Sequence, residues 1–400
     1  HRDLHSFPTR RSSDLHILAF RDKIFILSLI VDLYTTSRQF RLLRLHIHGV
    51  LRCILKRLVF RLILLSSVVF LFVALANYIF DPVQYYRENT NLVYDYENQR
   101  FLYAGIVRNY TFDRIIVGNS MSENFLPSFV DSAFGYGRTL NASISGSSTY
   151  EQSVVLRLAL SKKKVREVIW GIDFFSLGGT KEASKLPHHM YDDNKLNDLL
   201  HLFNPYVTRQ IIKQILFRFA ETSKKEEPFN YDKLTNYWFE RYKFSETEVL
   251  KKLEAAEDEN FTKNTIDLSV LSKSFDENIL RLVKENPGVE FYLFFSPYSI
   301  IYFARMLRYD AHSFENIFSF KSFVVDTLTD YENAFIYDFQ DMYGVMENLD
   351  NYKDATHYSL HISELIINSI VSNLRRGIKH TLALEKELEI RCFAAIEKYW

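Results

Sequence analysis

The run Leu62–Phe80, which contains no charged side chain, constrains the fold of this chain more than any other stretch. Its 19 residues match the roughly 20 that an α-helix needs to cross the hydrocarbon core of a bilayer. The basic residues just before it are Arg52, Lys56, Arg57 and Arg61. Because positive charge is retained on the cytoplasmic side, we expect a single-pass anchor with a cytoplasmic N-terminus and an extracytoplasmic main domain.

The apolar run has an alternative interpretation as a cleaved signal peptide, because Ala74-Leu75-Ala76 has the small-x-small form of a cleavage site. The run continues past that site, which favours an uncleaved anchor. Residues 1–15 resemble a translated sequencing adapter and are left out of the fold prediction. Residues 16–61 are interpreted as a basic cytoplasmic segment.

Charge is distributed unevenly along the chain, although the net charge is zero. Residues 1–61 contain 12 Lys and Arg against 4 Asp and Glu, which leaves 37 against 45 for the remainder. A mildly acidic main domain argues against nucleic acid as a partner, because phosphate binding requires clustered positive charge. Cys53 and Cys392 lie on opposite sides of the apolar run, so we expect no disulfide within the chain.

From residue 112 onward, short apolar strands alternate with helical segments. The predicted strands are 115–117, 138–142, 165–172, 289–295 and 334–339. The predicted helices are 123–134, 149–160, 313–328, 361–374 and a C-terminal helix at 376–400. This alternation predicts a three-layer α/β/α domain in which a mostly parallel sheet is covered by helices on both faces.

Two regions depart from this rhythm. Residues 83–111 are interpreted as a connector near the membrane, and residues 190–285 as a helical insertion above the sheet. The insertion is rich in aromatic residues, at Phe229, Tyr231, Tyr237-Trp238-Phe239 and Tyr242. Such rings can stack on sugars, and they can equally form a small core of the insertion itself.

Ser120 follows Gly118-Asn119 at the end of an apolar, strand-like stretch. A hydroxyl at the carboxyl end of a buried strand is where α/β enzymes often hold a nucleophile. Serine needs a base to take its proton, and the base needs an orienting acid. The segment Asp354-Ala355-Thr356-His357 supplies both, three residues apart, where a turn directs them to the same side. The pattern predicts a Ser–His–Asp hydrolase or acyltransferase.

A third polar segment, Asn141 to Thr149, follows the second predicted strand. Gly146 in this segment can turn its backbone N–H toward an anion beside Ser120, whose own N–H is the second expected donor. Two such donors form an oxyanion hole, each often worth about 3 kcal/mol. Alternatively, the segment is only a strand-to-helix loop in which Ser147 or Ser148 caps the helix.

In their order, these segments resemble the sequence blocks of the SGNH (GDSL-like) hydrolase superfamily. Gly118-Asn119-Ser120 is similar to the first block, with Asn119 in place of the aspartate of the G-D-S form. Asn141 through Gly146 resembles the second block, and Asp354 through His357 resembles the last. The resemblance covers about residues 112–375, with the insertion outside it. It implies a flavodoxin-like fold, Ser120 as nucleophile, His357 as base, Asp354 as orienting acid, and neither a metal nor an organic cofactor.

The third block of that superfamily, G-x-N-D, is incomplete in this sequence. The matching stretch is Gly171-Ile172-Asp173, and an ionised Asp173 cannot donate a hydrogen bond as the asparagine of the block does. Asn119 is a candidate to replace that donor. We expect Asn141, Asp173 and Tyr298 to contact the substrate, since each lies near the end of a predicted strand.

In layout, the chain is similar to the membrane-anchored branches of the superfamily that act in alginate acetylation and lipoteichoic acid D-alanylation. The resemblance implies an esterase or O-acyltransferase that modifies a cell-envelope polysaccharide or polymer through an acyl-serine intermediate. It also suggests a multi-pass membrane O-acyltransferase as a partner. The incomplete third block leaves open an inactive SGNH-like domain that binds glycan or scaffolds such a complex. A third interpretation is an unrelated α/β fold in which the motifs coincide by chance.

Overall fold

The computed structural model describes residues 12–89, 98–162, 165–194, 196–220, 230–255, 266–372 and 382–400. It separates into two units, residues 1–72 and residues 73–400. Helix α1, Ser12–Phe80, is the one helix of the described residues that is long and apolar enough to cross a membrane. The predicted Phe229 and the start of the predicted C-terminal helix lie outside the described residues.

Among the described residues, the second unit contains five strands and the helices that follow α1. The strands are β1 Arg114–Val117, β2 Thr139–Asn141, β3 Glu167–Ile172, β4 Glu290–Phe295 and β5 Ala334–Asp338. The helices up to the fourth strand are α2 Gln99–Asn109, α3 Pro127–Phe134, α4 Thr149–Lys162, α5 Phe174–Leu177, α6 Asp198–Leu202, α7 Pro205–Ala220, α8 Glu246–Ala255, α9 Leu268–Phe275 and α10 Arg281–Glu285. The later helices are α11 Ile300–Tyr309, α12 Ala311–Leu328, α13 Tyr343–Met346, α14 Leu360–Val371 and α15 Leu382–Tyr399.

The five strands run parallel in one sheet, in the order β2-β1-β3-β4-β5. Ile116 of β1 pairs with Asn141 on one side and with Ile169 on the other. This confirms the predicted α/β domain, and the strand order is that of flavodoxin-like folds. After β1 the chain moves to the sheet edge and then returns past β1 to form β3. The carboxyl ends of β1 and β3 therefore form the switch point at which such folds bind ligands.

Helices cover both faces of the sheet, which explains why β1 and β3 are buried along their whole length. Helix α3 contacts α14, whereas α9 contacts both α4 and α12, so the helices form two groups. Aromatic rings join the second group to the sheet: Phe320 lies 6.1 Å from Phe275 and 6.4 Å from Phe295 between ring centres. Offset and edge-to-face rings at this separation stabilise a core beyond the area they bury.

The predicted helix at 123–134 begins only at Pro127 in the structure. Proline is favoured at the first helical position because its missing N–H would have no partner there. Residues 119–124 form turns beneath the carboxyl end of β1 instead. The late start of the helix thus leaves a polar turn around Ser120.

The predicted connector at 83–111 belongs to the folded domain, because it contains α2. The buried residues of this helix include Leu102, Tyr103, Ile106 and Val107, at helical spacing. A Cβ on Gly105 would lie 2.2 Å from the carbonyl oxygen of Val83, so only glycine permits this approach of backbone to backbone. The connector is therefore anchored to the domain at its start and at α2.

The predicted insertion at 190–285 extends too far, because residues 268–285 belong to the helical layer over the sheet. Helix α9, a π-helical turn at 276–280 and α10 form one continuous helix. Its buried residues include Leu271, Phe275, Ile279 and Leu282, which repeat at spacings of three and four. The helix is the crossover that a parallel pair such as β3 and β4 requires.

Candidate active site

Two glycines on neighbouring strands create the space beneath the candidate site. A Cβ on Gly118, just after β1, would lie 2.5 Å from the Oγ of Ser122. A Cβ on Gly171, in β3, would lie 2.7 Å from the same oxygen. The absence of both Cβ atoms lets the fully buried Ser122 pack at the carboxyl ends of the strands. Ser120 lies between Gly118 and Ser122, in the turn that follows β1, and is partly exposed.

Ser120, His357 and Asp354 form one continuous series of hydrogen bonds. The Oγ of Ser120 lies 2.8 Å from Nε2 of His357. The other ring nitrogen, Nδ1, lies 2.9 Å from Oδ1 and 3.0 Å from Oδ2 of Asp354. Serine and imidazole are separated by 237 positions, so tertiary folding brings them together. In this geometry the imidazole can take the serine proton while the carboxylate orients the ring.

The carboxylate of Asp354 also organises the turn that carries the imidazole. Its Oδ1 accepts hydrogen bonds from the backbone N–H groups of Thr356 at 3.0 Å and His357 at 2.9 Å. Burial opposes ionisation of this carboxyl, but the hydrogen bonds and charge of His357 and the Thr356 N–H hold its pKa well below its usual range. Asp354 is therefore ionised at neutral pH. The turn ends before α14 begins at Leu360.

The two backbone groups predicted as oxyanion donors, the N–H of Ser120 and that of Gly146, donate to no acceptor among the described residues. Gly146 is exposed and has φ +60°, a conformation that glycine adopts without strain. Its loop is tied to the carbonyl of Gly118 by the Ile144 N–H at 3.0 Å and the Ser147 hydroxyl at 3.1 Å. The oxyanion role of these groups stays a prediction.

Asn119, the third predicted oxyanion donor, is joined to Asp173 through Ser176. The Asn119 Nδ2 donates to the Ser176 hydroxyl at 3.0 Å, and its Oδ1 accepts from the Met121 N–H at 2.9 Å. Asp173 caps α5 by accepting from the Ser176 N–H at 2.9 Å. The loops after β1 and β3 are thereby fastened together, and the role of Asn119 toward an oxyanion stays a prediction.

The three residues predicted to contact substrate are buried and form hydrogen bonds with protein groups. Asn141 is fully buried, and its Nδ2 donates to the carbonyls of Ser122 at 2.8 Å and Phe125 at 2.9 Å. Tyr298 is also fully buried and donates its hydroxyl to the buried carboxylate of Asp173. Burial and the nearby Asp173 charge raise the pKa of Tyr298. These polar groups are buried and paired with protein, and their contact with substrate stays a prediction.

Trp238, in the helical insertion, contacts the candidate base, which sequence reasoning did not predict. Its ring stands edge-on to the imidazole of His357, with centroids 5.4 Å apart and planes at 83°. The ring also packs with Tyr242 at 5.9 Å and Phe244 at 6.2 Å, and the Nζ of Lys353 lies 4.3 Å from its centre. The aromatic cluster of the insertion was a visible signal, but nothing in it pointed to His357.

Gln99, in α2, supports the Gly146 loop and was also missed. Its Oε1 accepts from the Ser145 N–H at 2.8 Å, and its Nε2 donates to the Ser143 carbonyl at 3.1 Å. The same Nε2 lies 2.6 Å from the carboxyl of Glu123, which is buried beneath the site. Burial raises the pKa of Glu123, although the hydrogen bond from Gln99 lowers it. A single amide thus links α2, the turn of Ser120 and the loop of Gly146.

A cavity of about 230 Å³ lies beside the imidazole. Its walls include His357, Asp354, Lys252 of α8, Arg305 of α11 and the apolar side chains Val249 and Leu253. The Nζ of Lys252 donates to the Lys353 carbonyl at 2.5 Å, which holds this cation at the cavity wall. Two cationic side chains, Lys252 and Arg305, and the Asp354 carboxylate therefore line the cavity beside the imidazole.

No model of a known protein family matches the sequence, and no curated protein sequence matches it either. Among solved structures, the chain is similar to one provisionally described as a platelet activating factor from Streptococcus pneumonia. The two are 12% identical with a TM-score of 0.35, and the match covers 69% of this chain and 90% of the other. At that TM-score the likeness carries no argument about function, and the strand order itself defines the fold.

Proposed function

We propose that this chain is an SGNH-type serine esterase or O-acyltransferase, held at the outer face of a membrane by α1. Its substrate is an acyl ester of a cell-envelope polysaccharide or polymer. The observation that carries the proposal is the unbroken series from the Ser120 hydroxyl through the His357 imidazole to the Asp354 carboxylate. Its position at the switch point of a parallel sheet supports the proposal, because such folds bind ligands there.

In the first half of the reaction, His357 Nε2 takes the proton of Ser120 as the Oγ attacks the acyl carbonyl. The negative charge that develops on the carbonyl oxygen is met by the N–H groups of Ser120 and Gly146. Breakdown of the tetrahedral intermediate breaks the ester bond, and the imidazolium returns its proton to the departing alcohol. The acyl group is then an ester of Ser120.

In the second half, an acceptor hydroxyl loses its proton to His357 as its oxygen attacks the acyl-serine. Ser120 leaves as an alkoxide and regains a proton from the imidazolium. Water as acceptor gives hydrolysis, and a sugar or polyol hydroxyl gives transfer. Asp354 stays ionised throughout, because its pKa is held low, and it stabilises the imidazolium in each half.

The cavity beside the imidazole supports a polymer that carries negative charge. Lys252 and Arg305 line it together with His357. A carboxylate or phosphate on the polymer would bind these cations and place a neighbouring hydroxyl or ester at the imidazole. Positioning of this kind contributes to rate because it removes the entropic cost of alignment.

Labelling with a fluorophosphonate probe tests the proposed nucleophile. We expect the wild type and Ser122→Ala to be labelled, and Ser120→Ala to remain unlabelled. Ser122 is the matched control, because it is a serine of the same turn whose buried Oγ has no partner among the described residues. A folded wild-type protein that does not react with the fluorophosphonate probe would argue against an activated serine.

A second candidate is an inactive SGNH-like domain that binds glycan or scaffolds a membrane acyltransferase complex. One observation favours it: Asp173 stands where the third block has an asparagine donor. Unchanged polymer acylation in cells carrying Ser120→Ala would favour this candidate over the enzyme.

A further inference from the structure

Helix α6 and its flanks expose an apolar stripe to solvent. Leu196, Leu199, Leu200 and Phe203 are 82%, 58%, 60% and 43% exposed. The last three follow Leu196 by three, four and seven positions, which places all four on one side of a helical turn. Large apolar side chains grouped in this way are unusual on the surface of a soluble domain, where exposed apolar residues are scattered.

The opposite side of α6 is polar and faces the protein interior. His201 is fully buried and packs on the ring of Tyr85 with centroids 4.6 Å apart. Asp198 accepts a hydrogen bond from the Tyr85 hydroxyl at 2.8 Å. The helix is therefore oriented with polar groups inward and leucines outward, the reverse of an ordinary surface helix.

Helix α7 continues the apolar surface. Ile212, Ile215 and Leu216 are 56%, 40% and 64% exposed, and their spacing puts them on one side of the helix. Arg209, also exposed, lies one turn before Ile212 on the same helix. Leucine and isoleucine beside a basic residue are typical of helices that lie in a membrane interface.

The last turn of α1 makes direct contact with these two helices. The Asn77 Nδ2 donates to the carbonyl of Leu202 at 2.7 Å and to the hydroxyl of Thr208 at 3.0 Å. Ile79 and Phe80 share a cavity of about 160 Å³ with Ile211 and Ile215. The apolar surface of α6 and α7 is thus continuous with the end of the apolar run.

We propose that α6 and α7 lie in the outer interface of the lipid bilayer, with Leu196, Leu199, Leu200, Phe203, Ile212, Ile215 and Leu216 in contact with acyl chains. Polar contacts of Asp198 with Tyr85 and of Asn77 with Leu202 fix these side chains outward beside the end of α1. This inference rests on the anchoring role of α1 in the proposed function but not on the chemistry of Ser120. It makes the insertion a second attachment point, which holds the domain close to the membrane surface.

Lipid quenching of a fluorophore tests this surface in the full-length protein in lipid nanodiscs. In a Cys53→Ser background, a bimane label is placed at Leu200→Cys or Leu216→Cys. Cys392 does not compete for the label, because it is buried and burial raises the pKa of its thiol to about 12. Val270→Cys, a 46% exposed apolar position in α9, is the negative control, and Leu71→Cys within α1 reports on insertion of the anchor.

With nitroxide on the upper acyl chain, we expect quenching at 200 and 216 to exceed that at 270 several-fold. Quenching at 71 but not at 200 and 216 would overturn the proposal while leaving the anchor intact. If positions 71, 200 and 216 all remain unquenched, both the membrane anchor and the lipid-contacting surface are overturned. A blue shift at 200 that depends on protein concentration, without quenching, would assign the surface to a second copy and also overturn it. Fluorophosphonate labelling of the same samples reports separately on the chemistry.

Discussion

The indole of Trp238 and the imidazole of His357 meet edge to face, with ring centres 5.4 Å apart. Trp238 is 6% exposed, and its ring is also stacked with Phe244, with ring centres 6.2 Å apart. Asp354 holds the imidazole at one nitrogen, Ser120 holds it at the other, and the Trp238 ring packs against it at 83° between planes. The imidazole therefore has little freedom to rotate. The insertion, which lies outside the sheet, therefore takes part in defining the geometry at the serine.

Trp238 is a positioning residue in this view, because it acts on Ser120 only through the imidazole. We expect Trp238→Ala to lower kcat for an aryl ester by about tenfold with a smaller change in KM, since a displaced base misaligns the proton transfer. Trp238→Phe should restore most of the rate because it keeps an aromatic edge-to-face contact. A purely structural role would instead reduce the amount of folded enzyme and leave kcat per active site unchanged, as measured by fluorophosphonate titration.

Asp354→Asn should reduce kcat by about 10⁴-fold, and Ser120→Ala or His357→Ala should reduce it by about 10⁶-fold. The amide retains the shape but no longer stabilises the imidazolium or selects the tautomer with its proton on Nδ1. The double variant Asp354→Asn, Ser120→Ala should be little worse than Ser120→Ala alone, because the three groups act as a unit. If the losses of kcat in the two single variants multiplied in the double variant, as measured by stopped-flow ester hydrolysis, the result would contradict a connected series of groups.

Lys252→Gln and Arg305→Gln should each raise KM for an anionic polymer ester several-fold while leaving a small neutral aryl ester unaffected. The physical reason is the loss of one cation from the cavity beside the imidazole. The wild-type KM for the anionic ester should also rise with salt, because added ions screen these charges. Lys273→Gln, in the exposed part of α9, serves as the control. Equal effects on both substrates would show that the cavity does not bind the anionic group.

The buried carboxyl of Asp81, which follows α1, should make the stability of the protein depend on pH. Its carboxylate accepts backbone hydrogen bonds from Tyr85 at 2.8 Å, Tyr86 at 2.9 Å and Arg87 at 3.0 Å. Burial nevertheless raises the pKa of Asp81 to about 6. Because the unfolded value is about 4, the folded state keeps a proton that the unfolded state releases between these values.

The stabilising contribution of Asp81 to the free energy of unfolding is therefore fully present below about pH 4, and it is lost as pH rises through about 6. From the pKa difference, the free energy of unfolding should fall by about 3 kcal/mol over this window. Denaturant unfolding in detergent, followed by tryptophan fluorescence, to which the buried Trp170 contributes, measures the slope. Asp81→Asn should flatten the slope between pH 4 and 6 relative to the wild type. If Asp81→Asn leaves the slope unchanged, the pH dependence of the free energy of unfolding arises from other groups.

Local patterns predicted most of the elements of the domain. The predicted strands at 165–172 and 289–295 correspond to β3 and β4, because runs of apolar residues between turn signals need no distant partner to be recognised. Helix α2 was missed, since its buried side depends on contact with the backbone at Val83, which no periodicity displays. The boundary of the insertion was misplaced for a related reason: α9 is short and apolar on one side, and only its contacts with α12 assign it to the sheet layer.

The sequence by itself determined the apolar run, the parallel α/β core, and the places where a serine ends one strand and an Asp-x-x-His turn precedes a late helix. These features are local, so neighbouring residues suffice to define them. Only the tertiary structure decided that Ser120 and His357 lie 2.8 Å apart, that Tyr298 donates a hydrogen bond to Asp173, and that Trp238 packs against the imidazole. Those contacts join residues more than a hundred positions apart, and they depend on how helices and loops pack on the sheet rather than on any short pattern.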